Sequence, residues 1–351
     1  MSSSVQDVSL NSRGLRSRVL RSKDEFKLIS PEWRELFRRC RDVTPFQHPD
    51  WLRCWIDAFS PRDLVGIEIR EGKRMVGFAP LLVYERDAQP VLAFAGGGVS
   101  DYLGLLAEPG GEGQVLGEIL RAAERIAGWS VLDLTDIPSA SSLLKYEPFA
   151  QSSRKHNVCL VLSLPETRDR LLRTLSNRQR ANLRHAWSRT QREGGARIEL
   201  AQPATVQEFL DDLFRLHELR WSEAGGAGVL CDEGVRQFHR AVAPRLLEDD
   251  VLRMYRMRVN GRSVAVIYSL FQGETVFCYL QGFDLGFSHL SPGTQLMFAV
   301  LEDAVRLGMR RFDFLRGEEA YKMHWRPQNE PTYRIEVSRS RLATQLTPRA
   351  A

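Results

Sequence analysis

The stretch VLRMYRMRVNGRSVAVIYSLFQ (251–272) is two apolar runs of strand character joined at Asn260-Gly261, the dipeptide of a two-residue β-hairpin. A further strand-like run, TVFCYLQGFD (275–284), follows, then the helical pattern FAVLEDAVRLG (298–308), then FDF (312–314). The first half repeats this figure. DLVGIEIREGKRMVGFAPLLVYER (63–86) is a second hairpin turning at Glu71-Gly72, VLAFAGG (91–97) a third strand, and LGEILRAAERIAGWSVLDL (116–134) a helix and a strand. Gly128 and Asp133 match Gly308 and Asp313 at a common offset of 180, while the hairpin glycines Gly72 and Gly261 lie 189 apart. The glycines suit helix C-caps, and the residues after them alternate as strands do. A duplicated α/β unit is predicted, each half a mixed twisted sheet flanked by helices.

The Ser- and turn-rich stretch PSASSLLKYEPFAQSSRKHN (138–157) marks the boundary. The predicted organisation is a disordered tail over 1–23, a first domain over 24–150, a linker over 151–165, a second domain over 166–340 and a tail over 341–351. The 351 residues are 43% hydrophobic and 26% charged, an ordinary globular composition that excludes disorder, collagen and coiled coil as the whole architecture. No run approaches the ~20 apolar residues of a membrane-spanning helix, and the N-terminus lacks the apolar core of a signal peptide. The five cysteines are odd in number, scattered and without a CxxC, which reads as reduced thiols in a cytoplasmic protein with neither disulfide framework nor zinc site. His217-Glu218 does not begin HExxH, because position 221 is Trp, so no metal is implied.

Charge concentrates in one place. Residues 168–197 hold nine arginines and two acids, a net +7, so the remaining residues sum to −2. Leu172, Leu175, Leu183, Ala186 and Trp187 fall on one side at helical spacing, predicting a basic helix ended at Glu193-Gly194-Gly195. Its arginines, Arg180 and Arg184 among them, are either a solvated face or a grip on phosphate, for which the guanidinium fork suits. His185 reads as surface, and no nucleic-acid motif accompanies the segment.

The densest chemistry lies between 275 and 325. Ser291-Pro292-Gly293-Thr294 reads as a helix start with Ser as N-cap and Pro at the first position, whose free backbone amides and positive dipole end favour an anion. Asp284 is a proton acceptor or the opening of a turn. Glu318 and Glu319 are bases or helix-N-terminal charges. Tyr321 is a proton donor or packs on Trp325 at i, i+4. Arg316 and Lys322 are contacts to phosphate or to a developing oxyanion, or solvated cations. His217, Arg220 and Trp221, on a second predicted helix, offer an aromatic face beside a cation, or simply pack inward.

YLQGFD (279–284), LSPGTQL (290–296) and above all FDFLRGEEAYKMHW (312–325) resemble the GCN5-related N-acetyltransferase (GNAT) superfamily, in its CelD-type or BioF2-like branch, relatives of the Fem aminoacyltransferases. TPFQHPDW (44–51), GFAPLLV (77–83) and SDYLGLL (100–106) are similar to the N-terminal module of that branch, so the resemblance spans roughly 24–340. SHLSPGT (288–294) has one glycine and departs from the usual Q/R-x-x-G-x-G/A phosphate loop. The resemblance implies tandem GNAT-like domains and N-acyl transfer from acetyl-CoA to an amino group on a sugar or an exopolysaccharide or cellulose precursor, with polysaccharide-synthesis machinery as a further partner. It implies Asp284, Glu319, Tyr321 and Lys322 for chemistry, Ser291, Gly293, Thr294 and Arg316 for the donor, and His217, Arg220, Trp221, Arg180 and Arg184 for the acceptor. Two other functions stay open: a non-catalytic module of this fold, and a Fem-like aminoacyl-tRNA-dependent transferase. The first half has TDIPSASS (135–142) where the second has RGEEAYK, which suits a division of labour.

Overall fold

The computed structural model describes residues 14–149, 151–223, 226 and 228–346, and the chain divides into two compact units, 1–157 with 331–351, and 158–330. In the first unit β1 (Leu15–Leu20) precedes three helices, α1 (Lys23–Leu28), α2 (Ser30–Arg39) and α3 (Pro49–Phe59). The hairpin follows as β2 (Asp63–Glu71) and β3 (Arg74–Arg86), with Gly72 at φ 59 in the turn, where only glycine avoids a steric penalty. Then come β4 (Gln89–Phe94), the short β5 (Leu106–Ala107), α4 (Glu112–Arg125), β6 (Val131–Ile137) and α5 (Ser142–Lys145). Ile67, Ile69, Ala79, Leu81 and Leu92 on alternate strand positions pack against Leu116, Ile119 and Leu120 of α4.

The second unit begins within β7 (Ser153–Ser163), at Val158; this strand forms where a linker is predicted, and the apolar run Val158–Leu162 is its signature. The basic segment is two helices, α6 (Arg168–Thr174) and α7 (Asn177–Arg192), separated because Ser176 starts a new one through a reciprocal capping box with Gln179. β8 (Ala196–Leu200), α8 (Val206–Glu223) and α9 (Glu233–Glu248) lead to the hairpin β9 (Leu252–Val259) and β10 (Arg262–Gln272). β11 (Thr275–Phe283), α10 (Pro292–Arg306), β12 (Arg311–Arg316) and the one-turn α11 (Ala320–Met323) complete it. The chain returns to the first unit at Pro331, within β13 (Gln328–Ser338), and α12 (Arg339–Leu346) follows.

Both units have one strand order. The first runs β1-β2-β3-β4-β6-β13 and the second β8-β9-β10-β11-β12-β7, each antiparallel except for one parallel pair. The duplicated unit predicted from the offset is present, and the sheets are the mixed sheets expected. The parallel pairs are short: β4 meets β6 at three positions from Val91↔Val131, and β11 meets β12 at three from Thr275↔Arg311. Beyond them the second strand of each parallel pair, β6 or β12, carries a left-handed residue, Asp136 (φ 54) or Leu315 (φ 61), and an irregular register with its outer neighbour. Such bulges bend a strand. β11 and β12 therefore part company after Phe277 and Asp313.

The boundaries need correction at both ends. Leu15–Leu20 is an edge strand paired with β2, within the tail predicted over 1–23; residues 1–13 and 347–351 lie outside the described residues. Residues 331–338 pack in the first unit, although placed in the second domain by sequence, because β13 pairs with β6 there.

Candidate active site

The parted ends of β11 and β12 gather most of the singled-out residues. Gly282 and Phe283, adjacent in β11, face opposite ways as strand geometry requires. On one side α8 crosses so closely that a Cβ on Gly282 would lie 2.7 Å from the backbone nitrogen of His217 and 2.8 Å from Leu216. On the other, the Phe283 ring covers the first turn of α10, where a Cβ on Gly293 would lie 3.3 Å away. Arg220, in the last turn of α8, places its guanidinium 5.4 Å from the centre of the Phe283 ring and 5.7 Å from that of Tyr321. A contiguous set of contacts thus joins the α10 amino terminus, Phe283, Arg220 and Tyr321.

Ser291 holds the N-cap position predicted for it but in the left-handed conformation (φ 52, ψ 52), with no side-chain cap bond. Gln295 N–H takes up the Ser291 carbonyl, and Pro292 has no N–H, which leaves the Gly293 and Thr294 amides as the helix's donors without a partner among the described residues. They adjoin a cavity of about 150 Å³ bordered by Ser291, Thr294, Gln179, Asn182, His324 and Trp325. The equivalent end of α4 differs: Glu112 sits in its first turn and accepts from the Gly110 N–H. A carboxylate already occupies that helix end, so an anionic ligand is disfavoured in the first unit.

Tyr321 is held with its hydroxyl protonated. Burial pushes its pKa up, Cys278 and Glu319 push the same way, and Arg220 opposes them. Cys278 is itself a buried thiol pushed up to about 12 by burial. Lys322, 2% exposed, gives its ammonium to the carbonyls of Arg316 (2.6 Å) and Gly317 (3.1 Å) and to the Glu319 carboxylate (2.7 Å). All three protons are committed to folding the turn after β12 back on itself. Glu319 is otherwise exposed, as is Glu318.

Asp284 lies at the same end of β11 with both oxygens engaged, one accepting from the Gly286 N–H (3.0 Å) and the other from Arg262 (2.9 Å). His217 is buried, its Nδ1 without a hydrogen-bond partner among the described residues and its pKa pushed down to about 4 by burial, then by Arg220 and Arg236. The imidazole is neutral at pH 7. Its neighbour Trp221 tilts against it at 5.9 Å between rings and leaves 39% of its surface exposed. Arg180 and Arg184 line a different, larger groove on the flank of α10. Phe283, Gln179 and Asn182 were not singled out by sequence, although strand alternation opposite Gly282 points to Phe283.

Residues 177–323 match the family model described as an acetyltransferase (GNAT) domain. No curated protein matches the chain in sequence. Among solved structures, FemX is 11% identical, with 87% of this chain and 95% of that one covered at a TM-score of 0.61. The C-terminal domain of an Agrobacterium fabrum protein assigned as a lysylphosphatidylglycerol synthetase is 13% identical, covering 92% and 95% at 0.55. A conserved protein of unknown function from Bacteroides thetaiotaomicron is 13% identical, covering 90% and 97% at 0.52. These likenesses concern the fold, and the family match concerns the segment that builds the site. The match of residues 177–323 to the acetyltransferase (GNAT) domain, on a fold shared with these structures, supports an acyltransferase.

Proposed function

We propose that the second unit transfers an acetyl group from acetyl-CoA to an amino group on a sugar, in an exopolysaccharide or cellulose precursor, and that the first unit has no such role. The observation that carries the reading is the run of contacts from the α10 amino terminus through Phe283 and Arg220 to a protonated Tyr321. The residues present fit the donor: the Gly293 and Thr294 amides suit a pyrophosphate, with Ser291 beside them and Arg316 near the turn. Bound there, acetyl-CoA supplies an activated acyl group whose sulfur departs as the thiol.

Each nearby side chain then has a defined part. Glu319, with one face to solvent, accepts the proton that the attacking amine releases, directly or through water. Tyr321 holds a proton at Oη for the departing sulfur. Arg220, stacked on Tyr321 and Phe283, steadies both rings by an interaction worth ~0.5–2 kcal/mol each. Lys322 keeps the turn that presents Glu319 and Tyr321, and Asp284 keeps the turn that presents α10. Trp221 offers an exposed aromatic face for the acceptor sugar, beside the neutral His217.

Calorimetry with acetyl-CoA and a turnover assay on glucosamine test this. Wild type and Tyr321→Phe should bind acetyl-CoA alike, while turnover of the variant falls ~100–10,000-fold, the usual loss for one general acid. A wild type that binds no acetyl-CoA would sink the reading; acyl labelling from charged tRNA would then mark a Fem-like transferase.

A further inference from the structure

A groove of about 980 Å³ runs between α7 and the outer flank of α10, next to the edge strand β8. Its lining recurs at helical spacing on both helices, from Arg180 to Trp187 on α7 and from Gln295 to Glu302 on α10, which makes it a trough roughly two turns long. The walls are apolar: Leu172, Leu183, Phe298, Trp187 and Ile198. Trp187 and Ile198 are 45% and 37% exposed, a large apolar surface left open.

The polar groups are few and differ in what they already hold. Arg168 is ion-paired with Glu302, and Arg180 donates to Asn177 and the Leu172 carbonyl. Arg184 makes no ion pair or hydrogen bond among the described residues, so its fork is available. Gln295, 6% exposed, gives its amide N–H₂ to the Thr190 hydroxyl (2.9 Å) and the Leu290 carbonyl (2.6 Å). Its Oε1 is thereby fixed in orientation, buried and without a partner among the described residues. A buried acceptor with no donor is costly, about 1–3 kcal/mol, unless a ligand supplies one.

The geometry points to a binding site for a single-chain amphiphile whose head carries one phosphate and a hydroxyl. The apolar walls take the chain, the free Arg184 fork takes the phosphate, and Gln295 Oε1 accepts from the hydroxyl. One unengaged arginine above apolar walls suits one phosphate rather than the repeated phosphates of a nucleic acid. This site stands apart from the Tyr321 cluster and does not rest on the acyl-transfer reading.

The test is calorimetric titration of the full chain with 1-palmitoyl lysophosphatidic acid at monomeric concentrations, beside monopalmitoylglycerol and inorganic phosphate. Lysophosphatidic acid should bind best, and Arg184→Gln and Trp187→Ala should each weaken it by about tenfold or more while circular dichroism stays unchanged. Ile198→Ser replaces Trp187→Ala should the latter fail to fold. Equal binding of monopalmitoylglycerol, unchanged affinity in both variants, or binding only to phosphatidylglycerol vesicles and not to the monomer would each overturn the proposal.

Discussion

Gly282 and Gly293 show how one residue type answers to different neighbours. Gly293 can be taken from sequence as clearance for a ligand, but the atoms nearest its missing Cβ belong to Phe283. At Gly282 the obstacle is backbone, the Leu216–His217 peptide of α8, which cannot swing aside as a side chain can. Gly282→Ala should therefore destabilise by about 1–3 kcal/mol, the cost of overpacking. Gly113→Ala, with no neighbour within 4 Å, should be neutral or gain up to ~1 kcal/mol. Urea midpoints measure both, and equal midpoints would refute the close crossing. Lys322 was legible as a residue of interest from its motif. That its three protons are spent on Arg316, Gly317 and Glu319 was not, since the turn that brings those acceptors together exists only in the fold.

Helix α8 carries His217 and Arg220, so what seats it on the sheet matters for the site. Arg256 of β9, 4% exposed, ties it down: the guanidinium lies 4.1 Å from the Phe209 ring centre and bonds Glu208 (2.6 Å) and Asp212 (2.9 Å) of α8, and Glu199 of β8 (2.7 Å). Burial works against the Asp212 carboxylate, but hydrogen bonds from Ser263, Arg256 and Arg215 outweigh it and hold its pKa below the usual range. Arg256→Met would strand these acids, and the expected loss is toward the lower end of the roughly 3–5 kcal/mol for breaking a buried pair, since Glu208 is half exposed. Thermal unfolding would read it, and an unchanged midpoint would show that α8 is seated by its apolar face alone. The hairpins, α10 and the strand after it were legible, because each has a local signal: Asn-Gly, a 3.6-residue period, a glycine stop. The break between α6 and α7 was also written in the chain, as Ser176-x-x-Gln179, but the apolar stripe across it masks the new start.

Two buried histidines, His217 and His239, are expected to contribute to how stability responds to acid. From an ordinary 6.5, His217 is pushed down to about 4 and His239 to about 3, burial being the main cause in each. The unfolded chain takes up protons near pH 6.5 that the folded chain refuses, so stability present above 6.5 is lost progressively as the pH falls toward 4. Melting temperature should decline over that window, and His217→Gln and His239→Gln should each flatten the slope; a slope untouched by both would assign the acid response to other groups. The amino-acid sequence by itself determined the duplicated hairpin, strand, helix and strand, because periodicity and turn chemistry act over a few residues. It also marked the 275–325 region as chemically dense. Only the tertiary structure decided that β7 pairs with β12, that β13 pairs with β6, and that Arg220 meets both Phe283 and Tyr321. A strand's alternation states which side chains face a core but not which edge will accept its hydrogen bonds. That choice, like the parting of β11 and β12, is made by packing between residues far apart in the chain.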